Sequence, residues 1–103
     1  TETSFKSKGS IKCTSAVGAI SKIVVVADKK MKAGAYDDLI LKLSSDGSSW
    51  SQVNSNALSY TGEGPYTSTA VIEDDSVNWF DIAVTNWGSS TPVYSFEVTF
   101  TTD

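Results

Sequence analysis

Apolar and polar positions alternate with a period of two along most of this chain, and no stretch sustains the 3.6-residue apolar recurrence of an amphipathic helix. The pattern predicts an all-β protein. Over residues 4–15, Phe5, Ser7, Gly9, Ile11 and Cys13 fall on one face, while Lys6, Lys8, Ser10, Lys12 and Thr14 fall on the other. That is a half-buried strand with a lysine-lined outer side. Residues 19–28 are apolar at nearly every position and rich in β-branched side chains, which suits a strand at a sheet centre. A polar loop over 29–38 follows. Leu39, Leu41 and Leu43 then alternate with Ile40, Lys42 and Ser44, and Asp46-Gly47 reads as the positive-φ pair of a tight hairpin turn that returns through Trp50 to Val53.

Residues 54–65 are dominated by turn formers and read as a crossing loop with one short extended segment around Leu58 and Tyr60. Three further strands are expected at 66–72, 77–85 and 93–101, separated by Glu73-Asp74-Asp75-Ser76 and by a loop over 86–92. About seven to eight strands at spacings near ten residues specify an antiparallel, jelly-roll-like β-sandwich, formed by residues 1–103 as a single domain. At 103 residues such a domain buries roughly 65% of its open-chain surface, enough for its own core. Sandwiches of this kind carry function on end loops or on one exposed face.

Composition narrows the chemistry by exclusion. There is no His, and all eight basic residues are Lys. Without imidazole the His-based nucleophile schemes and zinc sites are absent, and without guanidinium so are bidentate phosphate clamps and arginine readout of guanine. The acidic pI near 4.6 further disfavours nucleic acid, despite the small stripe of Lys6, Lys8 and Lys12. On an edge strand those lysines discourage edge-to-edge aggregation. The longest strongly apolar run, Ile23-Val24-Val25-Val26-Ala27, is far too short to span a bilayer as a helix. Cys13 is the only cysteine, so no intrachain disulfide forms; on the inward face of its strand it is a small core residue. Seventeen Ser and eleven Thr resemble the polar skin of extracellular or virion-surface β modules, and the start at Thr1 is that of a processed chain or an excised domain.

Charge is split along the chain. All eight Lys and four acids lie in residues 1–42, while residues 43–103 hold eight acids and no base. Interleaving of strands from the two halves would mix these signs on the surface; otherwise the split suits a polar molecule that packs as a homo-oligomer.

Aromatic placement supplies the candidate site. On the strand over 77–85, Phe80, Ile82 and Val84 belong to the core, which turns Trp79 and Asp81 outward. Trp87 lies in the following loop with Asn86 and Ser89, and Tyr36 lies in the loop over 29–38. An exposed indole stacks on the C–H face of a pyranose, and nearby Asp, Asn, Ser and Tyr groups bond its hydroxyls, so Trp87, Trp79, Asn86, Asp81, Ser89 and Tyr36 form the candidate ligand-binding set. The competing role of Trp79 is to pack beneath a neighbouring loop, and Trp50, just after the Asp-Gly turn, reads as a structural plug. No cofactor is expected; Ca²⁺ is the ion that loop acids could take, though no Asp-x-Asp-x-Asp-Gly loop is present. A glycosidase needs two carboxylates about 5–9.5 Å apart across a cleft, and no such pair is legible, so the expectation is a protein that is not an enzyme.

The run over 39–53, in which an alternating strand enters Ser-Ser-Asp-Gly-Ser-Ser-Trp and a following hydrophobic position, resembles the strand–turn–strand of discoidin-type, galactose-binding-like β-sandwiches. The ending over 78–100 is similar to the last two strands of such modules, so that the likeness covers about a third of the chain. It implies a jelly-roll-like sandwich that recognises glycans or surfaces through its end loops, without catalysis. The chain lacks the paired cysteines found near the ends of that family, and no family binding residue carries over. The leading expectation is a non-catalytic, lectin-like carbohydrate-binding module that is secreted or virion-borne. The alternative is a structural or adhesion domain binding other protein chains.

Overall fold

The alternating segments fold into two facing antiparallel sheets in a computed structural model that describes residues 1–27, 39–53, 58–60, 66–84 and 95–102. Nine strands lie among the described residues: β1 (Glu2–Lys8), β2 (Ser10–Lys12), β3 (Ile20–Ala27), β4 (Leu39–Ser44), β5 (Ser51–Gln52), β6 (Leu58–Tyr60), β7 (Tyr66–Val71), β8 (Trp79–Val84) and β9 (Ser95–Thr102). One sheet has the order β1-β9-β3-β7-β6 and the other β2-β8-β4-β5. The pairs β1·β9, β2·β8, β3·β7 and β4·β5 nest like the rungs of one long hairpin. Rolling that hairpin brings β9 beside β3 and β8 beside β4. The result is the jelly-roll order, with β6 added as a short arm on β7.

The strand expected over 4–15 is divided. Gly9 is buried with a φ of 80°, a conformation that other residues adopt only with strain, and there the chain leaves the β9 ladder for the β8 ladder. Its carbonyl accepts the Val84 N–H at 2.9 Å, so the corner stays hydrogen-bonded. Such corners are how a strand switches layers in a sandwich. With β1 and β2 taken as one segment, eight strands lie among the described residues, within the expected range. The strand expected over 77–85 begins two residues later, at Trp79.

Inward alternation holds on both sheets. Ile23, Val25 and Ala27 of β3, Phe96, Val98 and Phe100 of β9, Leu39 and Leu41 of β4, and Phe80, Ile82 and Val84 of β8 are all buried. Each of these side chains larger than alanine contributes about 1.5–3 kcal/mol through removal from water. Phe5, Phe80 and Phe100 join β1, β8 and β9 across the two layers, with centroids 6.3, 6.3 and 5.2 Å apart. Outward positions on β1 and β2 are exposed, including Lys6, Lys8 and Lys12, as the alternation predicts. Cys13 is half-buried; burial pushes its thiol above the usual value, a tendency partly offset by the Phe80 N–H, which donates to Sγ at 3.4 Å.

Candidate functional site

The four-stranded sheet presents an outer face built from alternate residues of short strands. Register aligns Lys12 of β2 with Asp81 of β8, Asp81 with Lys42 of β4, and Lys42 with Gln52 of β5. Neighbouring strands are about 4.8 Å apart, so these four residues form one row across the sheet. Charge from the two halves of the chain is interleaved here, as it is on the other sheet where Lys6 faces Glu97. Among the described residues no ion pair joins Asp81 to either lysine.

Trp79 lies two residues before Asp81, paired with Ser44, and is half-buried on this same face. What half-buries it is the β4–β5 connection over 45–50. The Ser44 hydroxyl accepts the N–H groups of Asp46 and Gly47 at 3.2 and 2.9 Å and donates to Asp46 Oδ1 at 3.1 Å. Asp46 Oδ1 in turn accepts the Ser48 and Ser49 N–H groups, both at 2.8 Å. These donors, led by Ser49 and then Ser48, hold the Asp46 carboxyl below its ordinary value. Asp46 was expected to share a positive φ with Gly47, but among the described residues only glycines have one, and in this turn Gly47 alone, at 78°. A loop longer than two residues needs only one left-handed position, and side-chain acceptors fix the rest.

Gly47 also explains the seating of Trp79. A Cβ on Gly47 would lie 2.9 Å from Cε2, 2.9 Å from Cζ2 and 3.0 Å from Cη2 of the indole. Near-equal distances to three consecutive ring atoms place the glycine over the ring face, since an in-plane approach would favour one atom strongly. Trp79 therefore points outward as expected yet packs under a turn, and that part of its ring is closed to a ligand.

Trp50, expected as a structural plug after the Asp-Gly turn, also reaches across the outer face of the sheet. It is half-buried beside the β5 edge, and its ring lies 4.7 Å from the ammonium of Lys12, which sits on the opposite edge strand of the sheet. The two side chains must meet over the outer face, making a cation–π contact there. A signal was present: Trp50 has the same parity as Gln52, which pairs with outward Lys42. Of the expected ligand-binding set, Trp79 and Asp81 are brought together on β8; Trp87, Asn86, Ser89 and Tyr36 lie outside the described residues.

Two acids of the turns act within the backbone. Asp74 Oδ1 accepts the Ser76 N–H and hydroxyl at 2.9 and 2.6 Å, and these lower its carboxyl just as the serines lower Asp46. A hydroxyl-rich groove of about 420 Å³ lies between the two turns, with Ser49, Ser51, Asp74 and Ser76 on its walls. Among the described residues no three His, Cys, Asp or Glu side chains converge, and no helix is long and apolar enough to cross a membrane. No protein-family model, curated protein or solved structure matches this chain.

Proposed function

We propose that this chain is a non-catalytic carbohydrate-binding module whose platform is the outer face of the four-stranded sheet. The observation that carries this reading is the meeting of Trp50 and Lys12 over the row Lys12, Asp81, Lys42 and Gln52, beside Trp79. An indole supplies an apolar surface for the C–H face of a pyranose, while ammonium and carboxylate groups on the adjacent row bond its hydroxyls. A ligand ring would displace the Lys12 ammonium from Trp50 and reuse it as a donor. Glycans of an extracellular or virion surface are the class of partner this reading implies, and Trp87, Asn86, Ser89 and Tyr36 stay in the candidate set as residues to be tested by substitution.

A glycan array on the purified protein, with and without calcium, tests the proposal beside Trp50→Ala, Asp81→Asn and Trp87→Ala variants. Saturable binding that falls at least tenfold in Trp50→Ala, with a cooperative melt retained, is expected. An empty array with folded protein would overturn the reading. A second reading, attachment to other protein chains as a structural or adhesion domain, is favoured by the β1 edge, where Glu2–Lys8 pairs on one side only among the described residues. It predicts partner-dependent oligomers in light scattering and no response to any glycan.

A further inference from the structure

We propose a second binding site, at the β1 edge of the five-stranded sheet, for a hydroxylated carboxylic acid of sugar-acid size. A concavity of about 660 Å³ opens there, lined among the described residues by Lys6, Ser7, Lys8, Val26, Ser95, Phe96 and Glu97. Its volume falls within the range of about 300–1,000 Å³ usual for small-molecule sites.

The chemistry of the lining selects the ligand. Lys6 and Lys8 are exposed, occupy successive outward positions about 7 Å apart along β1, and make no ion pair or hydrogen bond among the described residues. Two like charges at that spacing are relieved by a carboxylate between them. Glu97, the cross-strand neighbour of Lys6, would repel a bare anion, but it accepts hydrogen bonds from hydroxyl groups, as does Ser95, the cross-strand neighbour of Lys8. Val26, half-buried on the same outer face as Lys6 and Glu97, gives the apolar surface that the C–H face of a sugar ring covers. An inorganic anion would use the ammonium groups and the Ser95 hydroxyl but would leave Glu97 and Val26 unused. A sugar acid uses all three kinds of group, with its carboxylate at the lysines and its hydroxyls toward Glu97 and Ser95. This role also absorbs the lysine stripe of the sequence beyond its service as an edge guard. None of these residues belongs to the Trp50 platform, so the site stands or falls independently of it.

The test is an amide-resolved NMR titration of the whole chain with sodium glucuronate, glucose and sodium sulfate at constant ionic strength. Saturable shifts confined to β1 and β9 amides and those around Val26 of β3 are expected with glucuronate, none with glucose, and only weak effects with sulfate. The Lys6→Gln/Lys8→Gln double variant should weaken glucuronate binding at least tenfold, while Lys12→Gln and Trp50→Ala leave it unchanged. Should the double variant aggregate for want of its edge lysines, Lys8→Gln alone gives a several-fold loss. Absence of glucuronate shifts, equal affinity in the lysine variants, or sulfate binding as tight as glucuronate would each overturn the proposal. The Trp50→Ala arm separates this outcome from failure of the platform.

Discussion

Across the five-stranded sheet the central outward row reads Ser4, Thr99, Val24 and Thr69; across the four-stranded sheet it reads Lys12, Asp81, Lys42 and Gln52. The first row spends its polarity within the sheet, as where the Ser4 and Thr99 hydroxyls lie 2.7 Å apart. Short hydroxyl and β-branched side chains are favourable cross-strand neighbours and bring no large apolar surface. The second row sets charges side by side without ion pairs among the described residues and spreads Trp50 over them. Two antiparallel ladders thus yield a scaffold in the middle of the five-stranded face, with the proposed acid site only at its β1 margin, and a receptive surface across the middle of the other. The difference resides in side-chain length and aromatic content alone.

The largest break in that comparison comes from Gly47→Ala. The substitution forces an L side chain into a φ of 78° and drives its Cβ to 2.9 Å from the Trp79 ring. Left-handed strain of about 1–2 kcal/mol and a comparable overpacking cost give an expected loss of about 2–4 kcal/mol, readable in urea unfolding. Binding at the Trp50 platform should fall with it, because the same turn leads into Trp50. A loss below about 0.5 kcal/mol would mean that the turn does not seat Trp79 as described.

Much of the fold was legible in the sequence because period-two alternation and turn residues encode it directly. Phe80, Ile82 and Val84 inward, Trp79 and Asp81 outward, and Lys6, Lys8 and Lys12 exposed all follow from parity. The break at Gly9 was not legible, since the alternation runs through it without a slip and only the pairing partner changes, from β9 to β8. The site was half legible. Asp81 and Trp79 follow from their strand, but Trp50 sits in a connection whose course depends on Asp46 accepting from Ser48 and Ser49, a three-dimensional fact that adjacent letters do not announce.

A smaller effect sharpens the role of that connection. The folded carboxyl of Asp46 lies below its unfolded value, so its contribution to stability is full above about pH 4, the unfolded pKa, and is lost as pH falls through the folded one. Asp46→Asn should lower the melting temperature near pH 7 and converge with the parent protein in acid. Thermal melts of the two proteins from pH 7 down to pH 2 measure this, and a difference that grows on acidification would contradict the turn geometry.

The smallest expected effect is the most telling for the comparison. Thr99→Val removes the 2.7 Å contact with Ser4 on the five-stranded face. Valine keeps the β-branched shape that suits a pleated surface, and the Ser4 hydroxyl is exposed and turns to water. Stability should change by less than about 0.5 kcal/mol and glycan affinity not at all. The two faces share one core, through which Phe5, Phe80 and Phe100 touch, so a substitution that unfolds either sheet would abolish binding without locating it. Thr99→Val avoids that ambiguity because it leaves the core untouched. If it weakens glycan binding while Trp50→Ala does not, the receptive surface is the hydroxyl face, and the assignment of scaffold and platform is reversed.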